Sequence, residues 1–318
     1  MKHIVSIGEL LIDFLPNEQG NSLRDIQTFR KMPGGAPANV CVQAAKLGVP
    51  ATFIGQVGDD GFGNYLIKTL KSFHVNVDYV FKSSLSKTAL AFVTLTESGE
   101  RDFIFYRNPS ADQLLDVSQI KNIEINDSIF HFCSLSLDDY PLKHALHHLL
   151  LKHKKHQNLI SFDPNLRLSL FEDHHAYYEV IKTYIKYSDL LKVSDDELYF
   201  MTQKNDEQEA IDFLFSLGIK YLVITRGKDG VTYIDKHRTL NHSGYHVSVM
   251  DTTGAGDSWI GTFLSRIAYY ENIESISDDE LLEILGYANA AAALTTSKKG
   301  AINAFPDVQT IQTFINES

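Results

Sequence analysis

The sequence predicts an α/β fold in which a mostly parallel central sheet is flanked by helices and carries a small additional β-sheet. Two observations indicate this class: short β-rich runs alternate with helical stretches along most of the chain, and two segments interrupt that alternation. The length of 318 residues suits one large α/β domain with a small addition.

The alternation of strands and helices begins with the first residues of the chain. The run HIVSIG predicts a buried strand, and ANVCVQAAKLG predicts a helix that ends at Gly48. ATFIGQVG predicts the next strand and GFGNYLIKTLKSF the next helix. Farther along, helical stretches separate four more β-rich runs, which predict further strands of the same sheet: SIFHFC, NLISFD, DLLKVS and KYLVITR.

Two segments, residues 11–33 and 86–107, lack helical periodicity and predict the small sheet. The second segment contains two alternating runs around Ser98-Gly99, which is a hairpin signal. A hairpin inserted between β-α units projects from the main sheet. We therefore expect a small sheet from these two segments and a large domain formed by residues 1–10, 34–85 and 108–318.

Charge and cysteine content exclude several classes of protein. The net charge of −11 and the lack of a dense Lys/Arg cluster disfavour a nucleic-acid partner. Cys41 and Cys133 lie in apolar runs, so reduced thiols in a cytoplasmic protein are expected. The first residues lack the features of a signal peptide, and the apolar runs are too short for a membrane span, so no membrane partner is expected.

The stretch VSVMDTTGAGDSWIGTF joins a strand-like run to an apolar helix through a glycine-rich turn. Gly254, Ala255 and Gly256 allow backbone N–H groups to converge at the helix N-terminus, and this arrangement suits a phosphate. Asp257 in the same turn could accept a proton from an attacking hydroxyl. The alternative is that Asp257 only caps the helix, and this segment alone leaves both interpretations open.

A second glycine-rich stretch, KMPGGAPANVCVQAAKLG, lies far upstream. Gly34 and Gly35 allow close approach of the backbone, and Asn39 falls in the first turn of the following helix. These residues could line a site for a polar small molecule. Taken alone, the stretch favours the simpler interpretation, in which Asn39 caps its own helix.

Other chemical signatures are missing or incomplete. The chain has no G-x-x-x-x-G-K-[ST], G-x-S-x-G or H-E-x-x-H sequence, and Trp259 replaces the third glycine of a dinucleotide fingerprint. A nicotinamide oxidoreductase is therefore disfavoured. In HALHHLLLKHKKH, His144 and His148 are one helical turn apart, but a solvated helix face explains the run better than a metal site.

The segments GGAPANVCVQAAKLG and DTTGAGDSWIGTF, in this order, resemble the two signatures of the PfkB, or ribokinase-like, family of sugar and nucleoside kinases. VSDDEL, TRGKDGV and ANAAAALTTSKKGAI resemble further family landmarks, so the resemblance covers nearly the whole chain. It implies a ribokinase-like fold whose small sheet is a lid over the sugar. Within the family, GELLIDF, FYRNPSADQLL and SFDPNLR resemble fructokinases, while 2-keto-3-deoxygluconate kinases carry a similar D-x-N-x-R element.

The resemblance implies transfer of the γ-phosphoryl of ATP to a sugar, with the 6-hydroxyl of D-fructose as the expected acceptor. A 2-keto-3-deoxygluconate kinase or another sugar kinase of the family is the alternative, and a catalytically silent sensor on the same fold is disfavoured because Asp257 is present. Asp257 is the expected base, and the N–H groups of Gly254, Ala255 and Gly256 are expected to hold the phosphoryl group. The residues expected to bind the sugar are Asp13, Gly34, Gly35, Asn39, Arg107 and Arg167.

The resemblance also assigns nucleotide and metal contacts. The nucleotide is expected at Ser194, which stands where the family carries Asn, and at Thr225, Gly227, Gly256 and Asn289. Mg²⁺ is expected with the nucleotide, with Glu197 acting through the hydration shell. A K⁺ ion is expected at Asp251, Thr253 and Gly300. Lid sheets have exposed edges, so a homodimer formed through the lid is expected.

Overall fold

The computed structural model describes residues 1–17, 23–95, 101–124, 126–171 and 173–318, which form two β-sheets and the helices around them. In chain order the strands are β1 (His3–Ile7), β2 (Leu11–Pro16), β3 (Phe29–Gly34), β4 (Ala51–Gly58), β5 (Asn76–Ser83), β6 (Leu90–Leu95), β7 (Arg101–Tyr106), β8 (Ser128–Cys133), β9 (Leu159–Asp163), β10 (Leu190–Ser194), β11 (Tyr221–Thr225), β12 (Val231–Asp235) and β13 (Thr239–His242). The α-helices are α1 (Ala36–Lys46), α2 (Gly61–Ser72), α3 (Val117–Ile120), α4 (Pro141–Lys155), α5 (His174–Ile185), α6 (Asp195–Thr202), α7 (Glu207–Ser216), α8 (Ala255–Ile267), α9 (Asp278–Thr296) and α10 (Val308–Glu317).

The large sheet confirms the predicted α/β class. Among the described residues it has nine strands, in the order β13-β12-β11-β10-β9-β8-β1-β4-β5. Neighbours from β11 to β5 are parallel, whereas β12 pairs antiparallel with both β11 and β13. All six strands that the sequence predicted in this sheet are present. The sequence analysis missed β5, β12 and β13.

Helices cover both faces of the large sheet, as a parallel sheet requires. On β1, the side chain of Ile4 packs into one apolar core, while those of Val5 and Ile7 pack into the other. The first core includes buried residues of α1, α8 and α9, and the second includes buried residues of α4, α5 and α7. This burial on both sides explains why the parallel strands are almost continuously apolar.

Close packing of α1 against α8 brings the two signature segments together. A Cβ at Gly261 of α8 would lie 3.1 Å from the carbonyl oxygen of Val40 in α1, so the absence of a side chain permits the contact. The Gln43 amide of α1 donates to Thr262 Oγ1 of α8 at 3.0 Å. Two stretches that are far apart in the sequence therefore begin their helices side by side.

The small sheet has the strand order β3-β2-β6-β7. Strands β2 and β3 pair antiparallel, as do β6 and β7, whereas β2 and β6 pair parallel. The predicted hairpin strands are present, and the predicted turn at Ser98-Gly99 lies outside the described residues. Phe14 stacks on Phe92 with ring centroids 4.9 Å apart, and this contact joins the two halves of the sheet. The exact domain boundaries stay a prediction.

Two further observations bear on the cellular context. Among the residues that the structure describes, no helix is both long and apolar enough to cross a bilayer. Cys41 and Cys133 are free and buried, in agreement with the reduced thiols expected from the sequence. The cytoplasmic location stays a prediction.

Candidate active site

A cavity of about 170 Å³ lies between the small sheet and the carboxyl ends of the parallel strands. This is where open α/β sheets place their ligands. Of the residues predicted to act in catalysis or sugar binding, seven line the cavity: Asp13, Gly35, Asn39, Arg167, Gly254, Gly256 and Asp257. The structure therefore gathers both signature segments at one site.

Asp257 lies in the first turn of α8 and is 7% exposed. The Asn39 amide donates to its Oδ2 at 2.7 Å, and the Asn165 amide donates to its Oδ1 at 3.3 Å. Burial raises the pKa of this carboxyl to about 6, although the hydrogen bond from Asn39 acts in the opposite direction. A carboxylate with this pKa is ionised at neutral pH and is more basic than an ordinary aspartate.

Asn165 links Arg167 to Asp257. The Arg167 guanidinium donates to Asn165 Oδ1 at 2.6 Å, while the amide nitrogen of the same side chain faces Asp257. Asn165 has a φ of 46°, in the left-handed region that Asn tolerates better than most residues. Asn165 was not predicted as a site residue, although its position in the D-x-N-x-R element of SFDPNLR was a usable signal.

The turn before α8 offers amide groups to an anion. Gly254 has a φ of 78°, and the regular helical hydrogen bonds begin with the Ser258 N–H, which donates to Gly254 O at 2.8 Å. The Ala255 N–H donates to Thr252 O at 3.3 Å, so this amide already has an acceptor in the chain. Within the described residues, no backbone acceptor is paired with the N–H groups of Gly254 and Gly256. Of the three N–H groups predicted to hold the phosphoryl group, those of Gly254 and Gly256 therefore suit this role better than that of Ala255.

Gly34 and Gly35, at the end of β3, leave space for the Asp13 carboxylate and for the backbone of Glu9. A Cβ at Gly34 would collide with the Asp13 carboxylate, and a Cβ at Gly35, where φ is 112°, would collide with the backbone of Glu9. Gly34 does not line the cavity, so its observed contribution is steric. Gly35 lines the cavity and precedes α1.

Glu9 is a site residue that the sequence analysis missed. Its Oε1 accepts the Ala36 N–H at 3.1 Å and thereby caps α1, whose N-cap residue Gly35 has no side chain to do so. Glu9 is 2% exposed and lines the cavity. Within the described residues, Glu9 Oε2 and Asn39 Oδ1 are buried acceptors without a hydrogen-bond partner. A glutamate directly after a buried strand and a glycine was the available signal.

Arg107 is placed differently from the prediction that it binds the sugar. It forms a buried ion pair with Asp112 at 2.7 Å and donates to Leu135 O at 3.1 Å, and it is not among the residues that line the cavity. The guanidinium of Arg107 is thus held by Asp112 and by the chain at Leu135. A sugar contact by Arg107 stays a prediction.

The predicted nucleotide residues lie at the neighbouring strand ends. Ser194 and Thr225 are paired across β10 and β11, and Gly227 follows with a φ of 54°. Ser194 and Glu197 form a capping box at the start of α6: the Ser194 N–H donates to Glu197 Oε2 at 2.9 Å. Glu197 Oε1 accepts the Leu166 N–H at 2.6 Å. Both carboxylate oxygens of Glu197 thus hold the backbone, and its water-mediated contact with Mg²⁺ stays a prediction.

Asn289 uses its amide inside the protein. Its Oδ1 accepts the Trp259 Nε1–H at 2.8 Å, and its Nδ2 donates to Ser243 O at 3.1 Å. The tryptophan that breaks the dinucleotide fingerprint therefore fixes the orientation of Asn289. A direct nucleotide contact by the Asn289 side chain stays a prediction.

The three residues expected at a monovalent cation lie together. Asp251 Oδ1 accepts the Thr253 N–H at 2.9 Å, and Asp251 Oδ2 accepts the Gly300 N–H at 2.9 Å. The aspartate thus ties the loop before α8 to the loop after α9. Occupation of this loop by K⁺ stays a prediction.

A buried ion pair that the sequence analysis missed lies beside the glycine turn. Lys192 Nζ is 2.9 Å from Asp163 Oδ2, and the two side chains are 7% and 1% exposed. Lys192 is the single charged residue of the run LLKVS, and such a residue in a buried strand usually has a specific partner.

Comparison with known proteins agrees with this geometry. The family model described as "pfkB family carbohydrate kinase" matches residues 1–308. The chain belongs to this family. A fructokinase-2 of Zea mays is 42% identical to this pfkB-family chain over 315 residues, which cover 98% of it and 93% of the maize protein.

Solved structures of pfkB-family kinases give the same result. The fructokinase from Vibrio cholerae O395, in a form with fructose, ADP and calcium ion bound, matches with a TM-score of 0.90 and 30% identity, covering 99% of both chains. A fructokinase with bound ATP from Xylella fastidiosa also has a TM-score of 0.90, with 29% identity, covering 99% of this chain and 98% of that one. The ribokinase-like fold expected from the resemblance is confirmed.

Replacing Glu9 by Gln should reveal how the ionisation of Glu9 makes the stability of the protein depend on pH. Burial raises the pKa of Glu9 to about 7, so the folded chain favours the protonated acid and the penalty for its ionisation grows as the pH rises from 4.5 to 7. Glu9→Gln keeps an acceptor for the Ala36 N–H and removes that penalty. We expect the free energy of unfolding, measured in urea, to exceed the wild-type value by up to about 3 kcal/mol at pH 8, and by little near pH 4.5.

The matched control is Glu124→Gln, the same substitution at an exposed side chain. A difference between Glu9→Gln and wild type that is the same at every pH would show that Glu9 does not titrate in this range.

Proposed function

We propose that this chain is an ATP-dependent fructokinase that transfers the γ-phosphoryl group of ATP to the 6-hydroxyl of D-fructose. The observation that carries the proposal is the buried Asp257, which Asn39 and Asn165 hold at the cavity. It lies beside the N–H groups of Gly254 and Gly256, which have no backbone acceptor among the described residues. The similarity to fructokinases over almost the whole chain supports fructose as the acceptor.

Asp257 acts as the general base in this mechanism. The sugar hydroxyl oxygen attacks the γ-phosphorus and its proton passes to Asp257, while the bond between the γ-phosphorus and the oxygen retained by ADP breaks. The two asparagine amides orient the carboxylate, so its remaining lone pairs face the acceptor. The N–H groups of Gly254 and Gly256 stabilise the negative charge on the phosphoryl oxygens.

The sugar is held by acceptor groups that suit hydroxyl donors. Asp13 lines the cavity, and the unpaired buried acceptors of Glu9 and Asn39 each require a donor that the described chain does not supply. Several sugar hydroxyls would satisfy these atoms, whereas a deoxy analogue would leave one of them desolvated and unpaired. Arg167, which is placed by Asn165, also lines the cavity and provides donor groups.

The nucleotide occupies the neighbouring strand ends in this proposal. Ser194 and Thr225 end the paired strands β10 and β11, and Gly227 follows β11 directly after Arg226. Mg²⁺ that arrives with ATP would neutralise the phosphate charge, and the Glu197 carboxylate can accept hydrogen bonds from its water shell through lone pairs that the backbone does not use. The loop joined by Asp251 would hold K⁺ and stabilise the turn.

The small sheet serves as a lid, and it is the proposed dimer interface. Leu11 and Asp13 of β2 and Phe105 of β7 line the cavity, so closure of this sheet would exclude water that competes as phosphoryl acceptor. Ile104 is 42% exposed and Tyr106 63% exposed on the edge strand β7. An apolar edge of this kind is suited to pairing with a second copy.

Replacing Asp257 by Asn should lower kcat by about 100-fold or more without loss of stability. Removal of a general base costs about 10²–10⁴-fold in kcat. Because burial disfavours the ionised form, the neutral Asn should not lower the melting temperature, and the Kd for ADP should stay within about threefold. In wild type, kcat/KM should fall as the pH drops below about 6, where Asp257 becomes protonated.

The matched control for this variant is Asp139→Asn, a change at a side chain that is 88% exposed. A kcat for fructose-dependent ADP formation in Asp257→Asn within about tenfold of the wild-type value would contradict the assigned base.

A panel of sugars tests the choice of acceptor. With ATP and Mg²⁺, ADP formation should depend on D-fructose, and 6-deoxyfructose should give no turnover because it lacks the attacking oxygen. Formation of ADP with 2-keto-3-deoxygluconate and not with fructose would reject the acceptor and leave the role of Asp257 intact.

The dimer proposal predicts that light scattering gives twice the mass of the chain for the wild type. Changing Ile104 and Tyr106 to Asp should shift the protein toward the monomer, since the charges oppose burial of β7. Leu85→Asp, at an exposed site outside both β6 and β7, should remain dimeric. A wild type that is monomeric at micromolar concentration would refute the interface.

A further inference from the structure

Lys192 extends from the large sheet to the glycine turn that precedes α8. If Gly256 carried a Cβ, that atom would lie 3.1 Å from Lys192 Nζ. Apart from its chain neighbours and the backbone of its own helix, no other described heavy atom lies within 4 Å of that position. The space beside Gly256 is thus open, and a buried ammonium group faces it.

The Lys192 ammonium has more N–H donors than it has acceptors among the described residues. A lysine carries three N–H donors, and within the described residues Lys192 has one hydrogen-bond acceptor, Asp163 Oδ2 at 2.9 Å. The side chain is only 7% exposed, so water satisfies the remaining donors poorly. An anion beside Gly256 would accept from them.

Lys192 also stays charged. Burial alone would lower its pKa, but the carboxylates of Asp163 and Glu197 outweigh burial and raise the pKa above its ordinary value. A buried ion pair is a costly way to stabilise a fold, because apolar residues of similar volume are often as stable or more stable. The position of this pair beside the amides of a phosphate cradle suggests a reason for its presence other than folding.

We propose that Lys192 is a further catalytic residue, whose ammonium donates hydrogen bonds to the γ-phosphoryl oxygens in the space beside Gly256. The inference deepens the kinase function proposed above and rests on it. Lys192 keeps its proton throughout: the phosphoryl group passes from the ADP oxygen to the sugar oxygen, and the sugar proton goes to Asp257. The positive charge compensates the charge that the equatorial oxygens carry during the transfer.

The alternative is that Lys192 only neutralises Asp163 inside the protein. Lys192→Met alone cannot separate the two, because it leaves a buried carboxylate unpaired and could unfold the chain. The double variant Lys192→Met/Asp163→Asn removes both charges. Lys220→Met is the matched control, because Lys220 pairs with Asp189 at the same distance of 2.9 Å. Asp189 and Lys220 directly precede β10 and β11, so this pair lies at the opposite end of these strands from Ser194.

The experiment compares the double variant with Asp163→Asn alone, after circular dichroism has shown that both are folded. If Lys192 contacts the γ-phosphoryl group, kcat with ATP and fructose should be about 100-fold lower in the double variant, the usual effect of removing one such donor. Affinity for AMP-PNP, which has a γ-phosphoryl group, should fall by about tenfold or more, while affinity for ADP stays within about threefold. Lys220→Met should match the wild type.

Equal kcat values in the double variant and Asp163→Asn would overturn the proposal, and so would equal losses of affinity for AMP-PNP and ADP. Failure of the kinase function itself gives a different result. In that case the wild type forms no ADP with any sugar, and the comparison of AMP-PNP with ADP still reports whether Lys192 contacts the γ-phosphoryl group.

Discussion

The hydrogen bond from Asn39 to Asp257 is the contact on which the site depends. It joins the first turn of α1 to the first turn of α8, and it exists because the two helices pack closely enough for Gly261 to approach the α1 backbone. A carboxylate as buried as Asp257 needs donors to remain available as a base, and Asn39 and Asn165 supply them. Without this helix packing, the two glycine-rich turns would not share one cavity.

The interior next to this cavity holds more charge than folding alone would favour. Glu9, Asp163, Lys192 and Asp257 are each less than 10% exposed, and two of the carboxyls have a pKa raised by burial, Asp257 to about 6 and Glu9 to about 7. Such groups lower the stability of the empty protein. The same low polarity strengthens their action on a bound ligand, because interactions between charges are weakly screened there. The buried charges thus lower the stability of the protein, but they give a site that is already organised before the sugar and nucleotide bind.

The local sequence predicted most of the strands and helices, but it predicted only some of the residues that form the site. Apolar runs located the six parallel strands that they cover, since burial on both faces leaves a continuous pattern. The antiparallel strands β12 and β13 escaped because half-buried positions interrupt β12 and no position of β13 is buried, so neither forms a continuous apolar run. Asp257 and Asn39 were found because each lies in the first helical turn beside a glycine-rich segment. Glu9, Asn165 and Lys192 were missed because each acts through a partner far away in the chain: Ala36, Asp257 and Asp163, respectively.

The sequence by itself determined the α/β class, the attached small sheet and the two turns that carry the chemistry, because periodicity and glycine content are local properties. Only the tertiary structure decided which polar groups are buried, which of them are paired and which pKa values are shifted. It tied Arg107 to Asp112 and Asn289 to Trp259, and it placed Lys192 beside Gly256. These outcomes depend on distances between residues that are separated along the chain, and a distance of that kind is fixed only when the helices and strands pack together.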